Sequence, residues 1–142
     1  MTERVTITKT MIEHYDALTP GDQHLDELVT KNLNALTFFH NGQVIAIIGG
    51  FFLSPGVMQV WSYISDKVKT CGISFYKKVM QVCKIYLNEP DIHRLQFSVK
   101  TSYKHGWKWG HALGFSCEGV MKDYGGFGKD YWLFARVKDG RT

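Results

Sequence analysis

Residues 35–48 read ALTFFHNGQVIAII, and this stretch decides the fold. Two runs rich in β-branched and aromatic residues flank Asn41-Gly42, a pair that tolerates the positive φ angles of a type I′ turn. The stretch therefore predicts a β-hairpin. We expect Gly49-Gly50 to end or bulge its second strand, and Val57 to Ile64 to form a third antiparallel strand after the turn at Ser54-Pro55-Gly56.

Periodicity extends this interpretation in both directions along the chain. Strands are predicted at 5–9, 94–99, 115–121 and 131–137, where apolar residues alternate. Helices are predicted at 11–18, 24–33, 75–86 and 103–113, where apolar residues recur at helical spacing. The predicted order is β-α-α-β-β-β-α-β-α-β-β, an α/β (α+β) pattern. Because no linker or internal repeat interrupts it, we expect a single domain over residues 1–142.

Composition narrows the class of protein. A chain of 142 residues with 44% hydrophobic and 21% charged residues is typical of one globular domain and excludes disorder. Aromatic residues at 14% favour either a ring-filled core or a flat ligand or partner surface. The net charge of +4 suits an anionic ligand such as a pyrophosphate. The basic residues are dispersed along the sequence, so a nucleic-acid partner is not expected.

Cysteine and histidine spacing argues against disulfides and metals. The three cysteines form no CxxC pair, so we expect buried, reduced thiols. His105 and His111 are six residues apart and face different sides of a helix, so no metal site is expected. No apolar run approaches about 18 residues, and the N-terminus lacks a signal-peptide core. A soluble, cytoplasmic protein without membrane contact is expected.

The order of elements and several short motifs resemble the GNAT family of N-acetyltransferases. Leu113-Gly114-Phe115 followed by Glu118-Gly119 is similar to the end of that family's short helix, and residues 41–50 are similar to its hairpin. The resemblance implies a mixed, mostly antiparallel central sheet flanked by helices. Residues 46–50 and 60–66, AIIGG and VWSYISD, resemble the short GNAT-like proteins of tailed bacteriophages more closely.

The resemblance implies acetyl-CoA as cofactor and an amine as acceptor. In the family, the loop and helix start after the central strand hold the pyrophosphate, where glycines admit backbone N–H groups and the helix N-terminus supplies positive potential. The corresponding stretch, Lys69 to Ser74, reads KTCGIS and keeps one glycine. The implied cofactor-binding residues are Ile64, Ser65, Lys67, Lys69, Cys71, Gly72 and Ser74. The alternative is an ordinary helix start with solvated lysines.

The catalytic residues that the resemblance implies are incomplete. The tyrosine that protonates the leaving thiolate corresponds to Gly110, which has no proton to donate. Tyr103 is the remaining candidate for that role. Residues 57–64 contain no carboxylate, and Asp66 is expected to cap the following helix. Trp107 and Trp109 flank Gly110 and either wall a pocket or, as we expect, pack in the core.

Two functions therefore remain open. The first is transfer of an acetyl group from acetyl-CoA to an unidentified amine, in the host cytoplasm if the gene belongs to a phage. The alternative is a catalytically degenerate GNAT-like phage protein that acts through contacts with virion or host proteins, in virion assembly, DNA ejection or modulation of a host protein.

Overall fold

The structure, a computed structural model, describes residues 5–9 and 35–138. Its strands are β1 (Thr6–Lys9), β2 (Leu36–His40), β3 (Gln43–Ser54), β4 (Val57–Ile64), β5 (Arg94–Lys100), β6 (Ser116–Met121) and β7 (Tyr131–Val137). A 3-10 helix, η1 (Asp66–Thr70), precedes helix α1 (Gly72–Asn88), and helix α2 (Lys104–Ala112) follows β5. The strands form a seven-stranded sheet in the order β1-β2-β3-β4-β5-β7-β6.

Most ladders of this sheet are antiparallel. The pairs β1–β2, β2–β3, β5–β7 and β6–β7 run antiparallel, whereas β4 and β5 run parallel. The parallel ladder joins Val57 to Arg94, Met58 to Leu95 and Gln59 to Gln96. A parallel pair needs a long crossover connection, and η1 and α1 provide it.

The predicted hairpin is confirmed, whereas the strand end predicted at Gly49-Gly50 is wrong. Asn41 and Gly42 have φ angles of 54° and 75°, as a type I′ turn requires. The second strand does not end at the glycines, since β3 continues to Ser54, and the register shift lies in β2 between Phe38 and Phe39. Gly49 makes room for a ring instead, because a Cβ there would lie 2.3 Å from Cζ2 of Trp61.

The described residues divide into two compact units, and the first contains residues 5–9, 35–51 and 60–81. Its fully buried residues include Phe38, Ile45, Ile47 and Phe75. The rings of Phe38 and Phe75 meet edge to face with centroids 5.2 Å apart. This contact fixes the start of α1 against the hairpin, because Phe75 lies in the first turn of that helix.

The second unit comprises residues 52–59 and 82–142. Its centre is Phe134 on β7, which is fully buried and stacks on Phe97 of β5 at 5.3 Å with the rings 7° from parallel. Helix α2 turns its glycines towards this layer, with Gly106 and Gly110 buried. Gly114 follows the helix at φ +87° and donates its N–H to the oxygen of His111, as a C′ glycine does.

Two predicted helices lie outside the described residues, and the start of α1 differs from its prediction. The helices predicted at 11–18 and 24–33 belong to the part that is not described. The 3-10 helix η1 was not expected, and α1 begins three residues before Phe75. The prediction of one domain over residues 1–142 stays a prediction. Among the helices described, none is long and apolar enough to cross a membrane.

Candidate functional site

The loop after β4 is anchored by Ser65. Its backbone N–H donates to the oxygen of Ile45 at 2.9 Å, which ties the loop to β3. Its hydroxyl accepts from the N–H of Lys67 at 3.1 Å and so caps η1. The expectation that Asp66 is the cap is therefore wrong; its side chain is 98% exposed and lies 3.9 Å from Nζ of Lys69. Ser65 takes the cap because it is the last extended residue before η1.

The start of α1 offers backbone donors next to open space. Cys71 donates its N–H to Val68 at 3.1 Å, and the first helical bond of α1 runs from Phe75 to Cys71 at 2.9 Å. The N–H groups of residues 72–74 therefore lie in the first turn, where a helix presents donors to an outside acceptor. A Cβ added to Gly72 would meet no atom of the described residues within 4 Å. An anion can approach this backbone without displacing a side chain.

The electrostatics of this loop favour an anion. Lys67 and Lys69 are both exposed, and the side chain of Lys69 is 77% exposed. The first turn of α1 contains no acidic residue. Asp66 offsets part of the charge of Lys69, but their 3.9 Å contact is a surface pair of small energy. The two ammonium groups and the helix N-terminus together favour a doubly charged ligand.

Besides Ser65, two other predicted cofactor-binding side chains are engaged within the protein. The hydroxyl of Ser74 accepts from the N–H of Val5 at 3.1 Å. Cys71 is buried, its thiol points to the oxygen of Lys67 at 3.9 Å, and burial raises its pKa. Both residues are thus available to a ligand only through their backbone. The side chains of Ile64 and Ile73 are exposed, Ile73 by 75%, and sequence reasoning did not single out Ile73.

Gly110 in the second unit is a packing residue. A Cβ at this position would lie 2.7 Å from Cδ1 of Phe134, which is fully buried. The position that the resemblance assigns to a catalytic tyrosine is thus closed by the ring beneath it. Tyr103 precedes α2 at the N-cap without a side-chain capping bond, and 48% of its surface is exposed.

The two tryptophans beside Gly110 differ in position. Trp107 packs its ring against Trp132 at 4.7 Å and against Phe134 at 5.5 Å, yet 36% of its surface is exposed. Trp109 is only partly buried. The expected core position is therefore correct for one side of the Trp107 ring alone, and the other side belongs to the surface.

A polar network on β4, β5 and β6 was not predicted. Arg94 donates to both carboxylate oxygens of Glu118, at 2.6 and 3.0 Å, and to the side-chain oxygen of Gln96 at 2.8 Å. Gln96 in turn donates to Gln59 at 3.0 Å. The bond from Arg94 lowers the pKa of Glu118, so this carboxylate is a poor proton acceptor. Polar residues at alternate positions 94 and 96 of a strand were the signal that could have indicated it.

Other site types find little support. No cluster of three or more potential metal ligands occurs in residues 5–9 and 35–138. The three cysteines are free thiols. The indole N–H of Trp61 on β4 is buried and has no hydrogen-bond partner in the described part of the chain. An unpaired buried donor costs about 1–3 kcal/mol, so this N–H is a candidate contact for a water or a ligand acceptor.

Comparison with known proteins identifies the fold. No protein-family model and no curated protein matches the sequence. A GNAT-family acetyltransferase from Bacillus anthracis superposes with a TM-score of 0.74 at 14% identity over 98% of both chains. The ribosomal-protein-S5-alanine acetyltransferase from Vibrio fischeri gives a TM-score of 0.72 at 16% identity, covering 100% of this chain and 97% of the other. RimL, a ribosomal L7/L12 α-N-protein acetyltransferase solved with CoA, gives 0.78 at 13% identity over 97% and 96%.

These likenesses show the fold. The chain has the GNAT fold, with the predicted mixed, mostly antiparallel sheet and flanking helices. The fold class expected from the order of elements is confirmed.

Proposed function

We propose that this protein binds acetyl-CoA at the loop of residues 64–74 and transfers the acetyl group to an amine. The observation that carries the proposal is the start of α1, where open space faces Gly72 beside two exposed lysines. Backbone N–H groups at a helix N-terminus suit a pyrophosphate. The GNAT fold, and the CoA bound to one structure that shares it, support the same cofactor.

Each residue of the loop has a distinct part in this proposal. Gly72 and Ser74 offer backbone N–H groups to the phosphate oxygens, and Lys67 and Lys69 supply positive charge. Ser65 holds the loop to β3 through its bond to Ile45. Ile64 and Cys71 complete the set of cofactor-binding residues, Ile64 through its exposed side chain and Cys71 through its backbone.

The chemical step needs few groups from the protein. A neutral amine attacks the thioester carbonyl that the cofactor supplies. A C–N bond forms as the C–S bond breaks, and the proton lost by the nitrogen passes to water. We assign delivery of a proton to the thiolate to Tyr103, which is about half exposed. Protein N-terminal amines are the first acceptors to test, because two structures of the same fold are named for acetylation of ribosomal proteins.

Calorimetric titration with CoA tests the proposal. We expect a dissociation constant below about 1 mM, corresponding to at least about 4 kcal/mol. A Lys67→Gln/Lys69→Gln variant should bind at least about tenfold more weakly, a loss of about 1.4 kcal/mol. Lys77→Gln/Lys84→Gln is the matched control, because it removes the same charge from exposed positions of α1 outside the loop. No heat of binding at millimolar CoA, or equal weakening by both variants, would refute cofactor binding at this loop.

A second candidate function is contact with virion or host proteins without catalysis, in a phage-encoded protein. The packing of Gly110 against Phe134 favours it, because that position holds no proton donor. Co-purification of the protein with virions or with one host protein from infected cells is the expected result. Robust acetyl transfer by the isolated protein would exclude this candidate.

A further inference from the structure

The segment around α2 is basic without acidic residues. Residues 92–117 contain three lysines, one arginine and three histidines but no aspartate or glutamate. Arg94 is paired with Glu118. The two ion pairs recorded for residues 5–9 and 35–138 involve neither Lys104 nor Lys108. The helix therefore carries positive charge that no carboxylate of the described chain offsets.

Helical periodicity collects this charge on one side of α2. At about 100° per residue, Lys104, Trp107, Lys108 and His111 occupy one arc of about 100°. All four are exposed. Gly106 and Gly110 lie on the opposite side and are buried. The two lysines thus lie on the exposed side of α2, next to the rings that pack on β7.

Aromatic rings lie within the same surface. Nζ of Lys104 stands 5.3 Å above the ring of Trp132. The ring of Trp107 contacts those of Trp132 and His111, with centroids 4.7 Å apart in both pairs. We call these five residues, Lys104, Trp107, Lys108, His111 and Trp132, the α2 patch. The packing beneath Trp107 fixes its ring, so its exposed part is a rigid surface.

We propose that the α2 patch binds single-stranded nucleic acid. Unpaired positive charge by itself suits any polyanion, but an exposed indole between two lysines favours a ligand that carries flat rings beside its phosphates. Unpaired bases stack on aromatic side chains for about 1–3 kcal/mol each, while lysines neutralise the backbone. The sequence did not predict this partner because the lysines are dispersed along the chain, and only the helix brings them together. The proposal does not depend on acetyl transfer.

Fluorescence anisotropy with a labelled oligothymidine of about twelve nucleotides tests the proposal. We expect binding at about 50 mM salt that weakens as salt rises. Lys104→Gln/Lys108→Gln should weaken it at least about tenfold and reduce the salt slope by about 1.4, at 0.7 per lost phosphate contact. Lys77→Gln/Lys84→Gln, with the same loss of charge on α1, should change binding less than about twofold.

A stacking variant separates nucleic acid from other polyanions. Trp107→Leu should weaken oligothymidine binding about 5- to 100-fold, with circular dichroism verifying the fold. Titration of the oligonucleotide into wild-type protein should quench tryptophan fluorescence, a readout independent of the variant. Equal competition by polyglutamate together with no effect of Trp107→Leu would assign the patch to an acidic protein segment and overturn the proposal. Equal affinity for a duplex, or no binding at about 100 µM protein and 50 mM salt, would also overturn it.

Discussion

Gly110→Ala should destabilise the protein even though alanine is the better helix former. The new Cβ would lie 2.7 Å from Cδ1 of Phe134, whereas ordinary contacts begin at 3.4 Å, so the ring must retreat by the difference of 0.7 Å. Phe134 is fully buried and is held between Phe97, Trp107 and His111. Overpacking of this kind costs about 1–3 kcal/mol. Alanine recovers about 1 kcal/mol of helix propensity, so we expect a net loss of about 1 kcal/mol.

Urea denaturation followed by circular dichroism measures this loss. A second pair of proteins, Phe134→Leu with and without Gly110→Ala, isolates the contact in a double-mutant cycle. In the Phe134→Leu background the alanine should be neutral or stabilising, because the ring edge it meets is gone. Gly72→Ala is the control, since no atom lies within 4 Å of its Cβ, and it should not destabilise. An equal gain of stability from Gly110→Ala in both backgrounds would refute a packing role for Gly110.

Three further predictions concern stability and ionisation. Gly49→Ala should lower the free energy of unfolding by about 1–3 kcal/mol, because its Cβ would lie 2.3 Å from the Trp61 ring, and urea denaturation measures it. Arg94 lowers the pKa of Glu118, so the free energy of unfolding should fall as the pH drops below about 4.5. The loss should be less than about 1 kcal/mol, because the Glu118 side chain is 41% exposed. Acid titration of Glu118→Gln should show that this pH dependence is gone. Burial raises the pKa of Cys83 from 9.0 to about 11. The free energy of unfolding should therefore fall between about pH 9 and 11, because the thiol ionises first in the unfolded chain. Cys83→Ala should reduce this loss of stability at alkaline pH.

The sequence predicted strands and turns well where residues close along the chain determine their conformation. The hairpin was predictable because Asn41-Gly42 determines the turn by itself. The strands at 57–64 and 131–137 were predicted with their observed ends, since turn residues bound both. Gly49 was misread as a strand end, because its role comes from Trp61, which lies twelve residues later. No local pattern contains that contact.

The contacts within the candidate loop were not predictable from the sequence. The family resemblance matched Lys69 to Ser74 with a pyrophosphate-binding stretch, and the alternative was an ordinary helix start with solvated lysines. The sequence did not reveal that Ser65 caps η1 in place of Asp66, because both residue types favour a cap. Nor did it show that Ser74 bonds to Val5, a contact across 69 positions. The α2 patch was not predicted either, because its lysines are separated in the sequence and come together only on one side of the helix.

Gly110 offers no proton donor, so the pH dependence of the proposed acetyl transfer tests whether Tyr103 is the acid. General acid–base catalysis contributes about 10²–10⁴-fold, and a thiol with a pKa near 8.5 departs as a thiolate without help above that pH. If Tyr103 supplies the proton, wild-type turnover should be high at pH 7, and Tyr103→Phe should reduce it there far more than at pH 9. If no acid operates, both proteins should be equally slow at pH 7 and should accelerate together as the pH rises. Single-turnover reactions with acetyl-CoA and a protein N-terminal peptide distinguish these outcomes, and identical profiles would exclude Tyr103 as the acid. Intact CoA binding without turnover at any pH would indicate a protein that retains the cofactor site and has lost the transfer reaction.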